Sequence, residues 1–96
     1  MKAIATNNQL ASELLKTIAH PVRLRILLLL SEQPTLNVSA LQAVLNLEQS
    51  AISHHLIRMR DRGILKSDKR EKWMYYYLAD PAFAEVIRLL LERDVY

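Results

Sequence analysis

The sequence predicts a single, mainly α domain that carries one small β-hairpin, an α+β arrangement. Its 96 residues are 51% hydrophobic, enough for one compact core and too few for two. Apolar residues recur at helical spacing in four stretches before Gly63 and again after Pro81. Between them, two short runs are rich in β-forming residues. The predicted order is four helices, two strands and a last helix, with residues 1–96 forming one domain.

A proline separates the first two predicted helices. Apolar residues at helical spacing from Leu10 to Ile18 follow the polar segment TNNQ, which can supply an N-cap, so the first helix should run to about Ala19. Pro21 suits the first turn of the second helix. The segment VRLRILLLL is apolar on most sides except at Arg23 and Arg25, which predicts a buried central helix.

The third and fourth helices form a predicted helix-turn-helix. Ser39 is positioned to cap the short helix ALQAVLN, which Asn46 closes. After a short turn comes a longer helix that ends at Gly63, the only glycine, in the left-handed position typical of helix ends. Its apolar face consists of Ile52, Leu56 and Met59. Two helices joined by a short turn make a helix-turn-helix.

Beyond Gly63 the pattern changes from helical to strand-like. The runs ILKSD and KWMYYYLA, separated by the charged turn KREK, predict a hairpin with a basic tip, in which Trp73 and Tyr75 to Tyr77 alternate between core and surface. Asp80 and Pro81 begin the last helix. Its apolar stripe is too wide for one small core, so part of it should meet another chain; the stripe comprises Phe83, Val86, Ile87, Leu90 and Leu91.

Positive charge is concentrated in one part of the chain. The whole sequence carries a formal charge of +3, yet residues 50–75 hold seven basic residues against three acidic ones, a net +4. Such a local surplus suits an anionic partner, although a basic run is also typical of an ordinary solvated surface.

Several classes of protein are excluded or disfavoured by composition. The absence of cysteine excludes disulfides and thiolate metal sites. No secretory signal is apparent, and the longest apolar run, ILLLL, is too short to span a bilayer, so we expect a cytoplasmic protein with no membrane association. There is no paired acid and base, no oriented nucleophile and no glycine-rich phosphate loop, which argues against an enzyme and against a cofactor.

The fourth helix has a polar side that suits DNA. Stepping about 100° per residue places Ser50, His54 and Arg58 opposite the apolar face. Ser53 lies on one flank, and His55 falls nearer the apolar side. Serine, histidine and glutamine side chains contact base edges or phosphates in a major groove, so this surface predicts DNA binding. The alternative interpretation is an ordinary surface helix.

The string TIAHPVRLRILLLL, followed by LNVSALQAVLNLEQSAISHHLIRMRDRGILKSDKREKWMYYYL, resembles the ArsR (ArsR/SmtB) family of bacterial repressors over nearly the whole chain. The resemblance implies a winged helix-turn-helix, with the fourth helix reading DNA and the hairpin as the wing. It also implies a homodimer, formed through the first and last helices, on double-stranded operator DNA with an inverted repeat. The expected DNA-binding residues are Gln49, Ser50, Ser53, His54, Arg58, Lys69, Arg70 and Lys72.

The chain departs from the family at its metal sites. Many members carry a cysteine pair in the segment that here reads TLNVSAL, where Asn37 and Ser39 stand instead. Other members bind zinc between the last helices, and Asp80 and Glu92 match that set without its imidazoles, which makes a poor zinc site. We therefore expect no metal site and leave the effector unknown. Glu71 occupies a place where glycine is common, which leaves the turn type of the hairpin open.

These observations predict a sequence-specific regulator of transcription, an autoregulatory homodimeric repressor with no recognisable metal sensor. The alternative is a winged-helix protein-interaction module with weak or no specific DNA binding. Of the histidines, His54 and His55 diverge by about 100° on their helix and do not converge on one ion. His20, before Pro21, is expected to be a helix-junction residue.

Overall fold

The computed structural model describes residues 7–92, which form five helices and three strands. The predicted domain limits at residues 1 and 96 lie outside this range. The mainly helical class and the predicted order of helices are confirmed. The elements are α1 (Asn8–Ile18), α2 (Pro21–Glu32), β1 (Leu36–Asn37), α3 (Val38–Leu45), α4 (Gln49–Asp61), β2 (Leu65–Arg70), β3 (Trp73–Leu78) and α5 (Ala82–Leu91).

The junction between α1 and α2 is organised by His20 and Pro21. His20 is extended (φ −154°), and its Nδ1 accepts a hydrogen bond from the backbone N–H of Val22 at 3.1 Å, while Pro21 takes the first helical position. The expected junction role of His20 is confirmed. Helix α2 then runs through the middle of the core, where Ile26 and Leu27 are fully buried.

Helix α3 begins two residues earlier than the sequence predicted. The expectation that Ser39 caps it is wrong, because the helix starts at Val38 and Ser39 is an exposed residue of its first turn. Asn37 is the cap instead, since its side-chain oxygen accepts from the N–H of Ala40 at 2.8 Å. Asn46 closes the helix in the left-handed conformation (φ 56°), as predicted.

Helix α4 has the predicted apolar face. Ile52, Leu56 and Met59 are completely buried (0% exposed) against the core. Gly63 follows the helix at φ 80°, a conformation that favours glycine. Its N–H donates to the Arg60 carbonyl at 3.0 Å, and the next N–H, of Ile64, donates to the Met59 carbonyl at 2.9 Å. This pair of bonds is a Schellman motif, which turns the chain out of α4 toward β2.

The sheet has three antiparallel strands in the order β1-β3-β2, whereas the sequence predicted only the hairpin. The extra strand pairs Leu36 with Tyr76 and Asn37 with Tyr75. In the hairpin, Arg70 pairs with Trp73, so the turn has two residues. Glu71, the first of them, takes φ 56°. This left-handed conformation explains why glycine suits that position.

The β3 aromatics and the last helix divide between core and surface as predicted. Tyr76 is 5% exposed, whereas Trp73 is 42% exposed. Along α5, Ile87 is buried at 1% exposure, but a row of apolar side chains on the same helix remains in contact with solvent: Val86, Leu89, Leu90 and Leu91. Within residues 7–92, no helix is long and apolar enough to cross a membrane.

Candidate nucleic-acid interface

The predicted polar side of α4 is exposed in the structure. Gln49, Ser50, His54 and Arg58 are all exposed, and Ser53 is half-buried on the flank. Ile52 is buried and fixes the orientation of the helix, so that most of the opposite side is exposed to solvent. Glu48 at the N-cap makes no side-chain hydrogen bond to the first turn, so the backbone N–H groups there keep their capacity to bind an anion.

The start of α4 lies beside the tip of the hairpin. Both contribute to a shallow cavity of about 250 Å³, which is lined by Asn37, Val38, Ser39, Gln49, Lys72, Trp73 and Met74. Gln49 and Lys72 are far apart in sequence and are brought together here. Helix α4 is the second helix of the helix-turn-helix, the one that contacts DNA in such motifs. The basic hairpin lies next to its N-terminal end, which is the arrangement of a winged helix-turn-helix.

We call the β2–β3 hairpin the wing, and its basic tip contains Lys69, Arg70 and Lys72, all exposed. The Arg70 guanidinium lies 5.1 Å from the ring centre of Tyr75, and the Lys72 ammonium lies 5.6 Å from that of Trp73. Such cation–π contacts restrict long side chains at exposed sites. The sequence predicted the basic tip and the alternating aromatic residues, but not that these rings contact the cations.

Arg70 has a second partner that weakens its positive field. Its Nε is 3.2 Å from a carboxylate oxygen of Asp68 on the same strand, and both side chains are more than half exposed. An exposed ion pair of this kind is worth only about 0–1 kcal/mol. The pair therefore exchanges readily for a phosphate, and Arg70 stays available to an anionic partner.

Arg58 lies toward the other end of α4, near α1 and α2. There it lines a cleft together with Arg23 and Arg62. Neither Arg23 nor Arg62 was among the predicted site residues. Arg62 is the C-cap residue of α4, four residues after Arg58, and this spacing was a signal for Arg62. Arg23 joins them only through the packing of α2.

His55 ties α4 to the junction of the first two helices. Its Nδ1 accepts a hydrogen bond from Arg23 Nε at 3.1 Å, and the same arginine donates through Nη1 to the carbonyl of Thr17 at 2.9 Å. The His55 ring also contacts that of His20 in a tilted arrangement, with centroids 4.5 Å apart and planes 54° to each other. Burial, followed by the charges of His20, Arg23 and His54, lowers the pKa of His55. The neutral imidazole is therefore the form that fits this position.

The histidines do not gather other ligands around them. Among residues 7–92, no group of three histidine, cysteine, aspartate or glutamate side chains lies close enough to hold a metal ion. In the carboxylate pair that matches the zinc-binding members, Asp80 instead accepts a hydrogen bond from the N–H of Ala82 at 2.9 Å. That carboxylate has a structural role at the start of α5.

Acidification is expected to destabilise the fold through His55. Because its pKa is lowered from the ordinary value of 6.5, its contribution to stability is complete above about pH 6.5 and is lost as the pH falls through the folded-state pKa. His55→Asn keeps a neutral acceptor, so its free energy of unfolding should decline less below pH 6.5. Urea unfolding at several pH values measures this. An equal decline of the free energy of unfolding with falling pH in His55→Asn and in the wild type would contradict the assignment.

A helix-turn-helix followed by a basic wing defines the winged helix-turn-helix regulators, a class of DNA-binding proteins. The family model described as "Bacterial regulatory protein, arsR family" matches residues 20–67. The transcriptional repressor PagR of Bacillus anthracis is 40% identical over 82% of this chain and 79% of its own length. The regulator YgaV of Escherichia coli K12 is 37% identical over 90% of this chain and 85% of its own.

Solved structures agree with the sequence comparisons. The crystal structure of PagR matches with a TM-score of 0.81 and 37% identity, over 90% of this chain and 98% of that one. HlyU from Vibrio cholerae matches with a TM-score of 0.82 and 33% identity, over 91% and 97% of the two chains. The chain belongs to the arsR family and is a DNA-binding transcriptional repressor, not an enzyme. The family resemblance and the winged-helix fold predicted from the sequence are thus confirmed.

Proposed function

We propose that this repressor acts in the cytoplasm as a homodimer on an inverted-repeat operator, at its own promoter. The observation that carries the proposal is the exposed polar side of α4, which adjoins the basic tip of the wing through the cavity shared by Gln49 and Lys72. Helix α4 enters the major groove, which is wide enough for a helix. The wing then lies along the neighbouring phosphates.

The predicted DNA-binding residues have two different roles in this arrangement. Hydrogen-bonding side chains near the start of α4 contact base edges and specify sequence: Gln49, Ser50, Ser53 and His54. Cations contact phosphates, giving affinity without specificity: Arg58, Lys69, Arg70 and Lys72. This division is supported by the chemistry of the groups, since arginine and lysine form charge-assisted bonds to phosphate oxygens.

Exposed leucines on α1 and α5 support the homodimer. Leu10 and Leu15 of α1 are 55% and 58% exposed, and Leu89 and Leu90 of α5 are 73% and 50% exposed. Several large apolar side chains that are at least half exposed on two helices are typical of a protein interaction site. A two-fold dimer presents two α4 helices to DNA, so the operator is expected to contain two half-sites about one helical turn (~34 Å) apart.

Removal of the Ser53 or His54 side chain is expected to reduce sequence discrimination. Ser53→Ala and His54→Ala should each lower the ratio of operator affinity to random-duplex affinity, by roughly 1–3 kcal/mol for each base that the side chain reads. Fluorescence anisotropy with both duplexes measures the ratio. The fold should survive, because His54 is exposed and Ser53 is only half-buried. An unchanged ratio in both variants would show that this side of α4 does not read bases.

A stable dimer that binds no duplex from its own upstream region would favour the protein-interaction alternative.

Removal of wing cations is expected to weaken binding to all DNA sequences alike. Arg70→Ala and Lys72→Ala should each flatten the slope of log affinity against log salt by about one, if each side chain contacts one phosphate. Titrations of operator and random duplex at several salt concentrations give the slope. Arg88→Ala on α5 is the matched control and should leave the slope unchanged. Wild-type slopes in both wing variants would remove the wing from the interface.

A further inference from the structure

Four cations and one carboxylate surround a small cleft between α1, α2 and α4. We call it the basic cleft, and its lining residues are Glu13, Lys16, Thr17, Arg23, Arg58 and Arg62. Its volume is about 210 Å³. Organic ligands of drug size occupy pockets of roughly 300–1,000 Å³, so the cleft suits a smaller occupant. Counting the described residues alone, its four cations exceed its one carboxylate by three positive charges.

Arg23 lies at the base of the basic cleft and is held by neutral partners. Its two hydrogen bonds go to the Thr17 carbonyl, at 2.9 Å, and to the His55 ring, at 3.1 Å. Burial, followed by the charge of Arg58, lowers the pKa of Arg23. A guanidinium nevertheless keeps its proton at neutral pH. The structure thus holds a partly desolvated positive charge beside a second one, an arrangement that a bound anion would stabilise.

Among residues 7–92, Glu13 is the only carboxylate that lines the basic cleft, and its ion pair is weak. Glu13 forms an ion pair with Arg62 at 3.0 Å, with side chains that are 35% and 52% exposed, respectively. Exposed pairs contribute about 0–1 kcal/mol, so a second anion competes with Glu13 at little cost. Arg58, in the last turn of α4, and Arg62, its C-cap residue, both line the basic cleft.

We propose that the basic cleft binds a phosphate-type oxyanion. Guanidinium groups present paired N–H donors that match two oxygens of such an anion, and Arg23, Arg58 and Arg62 converge on one volume. The same chemistry has two sources, a free inorganic anion or a phosphate of duplex DNA bound along α4. The second source rests on the proposed function, whereas the first does not.

Thermal unfolding of the DNA-free protein tests for a free anion. Inorganic phosphate is titrated against chloride at matched ionic strength, and a saturable rise in Tm is expected, of roughly 5–10 °C at ten times the Kd. Arg62→Gln and Arg23→Gln should each weaken phosphate binding about tenfold or more. Arg25→Gln is the control, because Arg25 lies on α2 outside the cleft and is exposed.

Glu13→Gln is expected to change phosphate affinity in the opposite direction to Arg62→Gln. It removes the competing carboxylate and releases Arg62, so phosphate should bind more tightly than to the wild type. Phosphate also stabilises proteins generally by exclusion from their surface. That effect would raise the Tm of every variant equally, and an equal rise in wild type, Arg62→Gln and Glu13→Gln would overturn binding of a free anion in the cleft.

Duplex DNA of random sequence tests the second source. If free phosphate gives no saturable shift but Arg62→Gln flattens the salt slope of DNA binding by about one, and Arg25→Gln does not, the cleft takes a backbone phosphate. If phosphate raises the Tm saturably without DNA, and Arg62→Gln reduces that rise, the cleft binds a free anion, and this conclusion does not depend on operator binding. The proposal is overturned by the absence of both effects.

Discussion

Leu89→Glu is expected to convert the homodimer into monomers. Leu89 is 73% exposed in the single chain, the largest exposure among the apolar side chains of α5, and in the proposed dimer it packs against the partner. Burying a leucine contributes about 1.5–3 kcal/mol, and a two-fold interface contains it twice. Loss of both, with a carboxylate in an apolar contact, should weaken dimerisation by roughly 10²–10⁴-fold or more.

Analytical ultracentrifugation over a range of protein concentrations measures this change. Val44→Glu is the matched control, because it replaces a half-exposed apolar side chain (54%) of α3, outside α1 and α5, by the same carboxylate and should leave the dimer intact. Operator affinity should fall together with dimerisation in Leu89→Glu, since one half-site alone is then bound. A Leu89→Glu protein that remains dimeric would exclude this side of α5 from the interface.

Leu56→Ala is expected to lower the free energy of unfolding by about 2–5 kcal/mol. Leu56 is completely buried on α4, between Ile52 and Met59 on the same face, so the truncation leaves a cavity that rigid neighbours do not fill. Domains of this kind are stable by only about 5–15 kcal/mol, so the loss is a large share of the total. Urea unfolding at fixed protein concentration measures it.

Ile57→Ala is the control for Leu56→Ala. Ile57 is the next residue along α4 but is 40% exposed, so its truncation should change stability far less. The contrast between adjacent positions tests the orientation of the whole helix. Equal losses at the two positions would mean that α4 is rotated relative to the core, and the polar side assigned to DNA would be wrong with it.

Orientation of α4 could be predicted from sequence because it depends on local periodicity. The spacing of Ile52, Leu56 and Met59 fixes the buried side, and Gly63 fixes the end of the helix through a backbone conformation that other residues disfavour. The exposure of His54 follows from the same rotation of about 100° per residue along the helix. Each of these features requires only residues within a few turns of one another.

Features that depend on distant pairing were not predictable in this way. Strand β1 has two residues, too few for a periodic signal, and it exists because Leu36 meets Tyr76. Asn37 and Ser39 are both good capping residues, so composition alone did not select between them. The basic cleft likewise required Arg23 of α2 to reach α4, which no spacing along the chain encodes.

The cap at Asn37 constrains how a thiolate sensor can evolve in this lineage. By the family resemblance, Asn37 and Ser39 are expected to stand where many members of the family carry a metal-binding cysteine pair. Ser39 is exposed and uses no side-chain bond in capping α3, whereas Asn37 holds the first turn of that helix. Cysteine at position 37 would remove the cap, at about 0.5–2 kcal/mol. Ser39→Cys is therefore expected to leave the helix intact, whereas Asn37→Cys weakens its first turn unless a bound metal compensates.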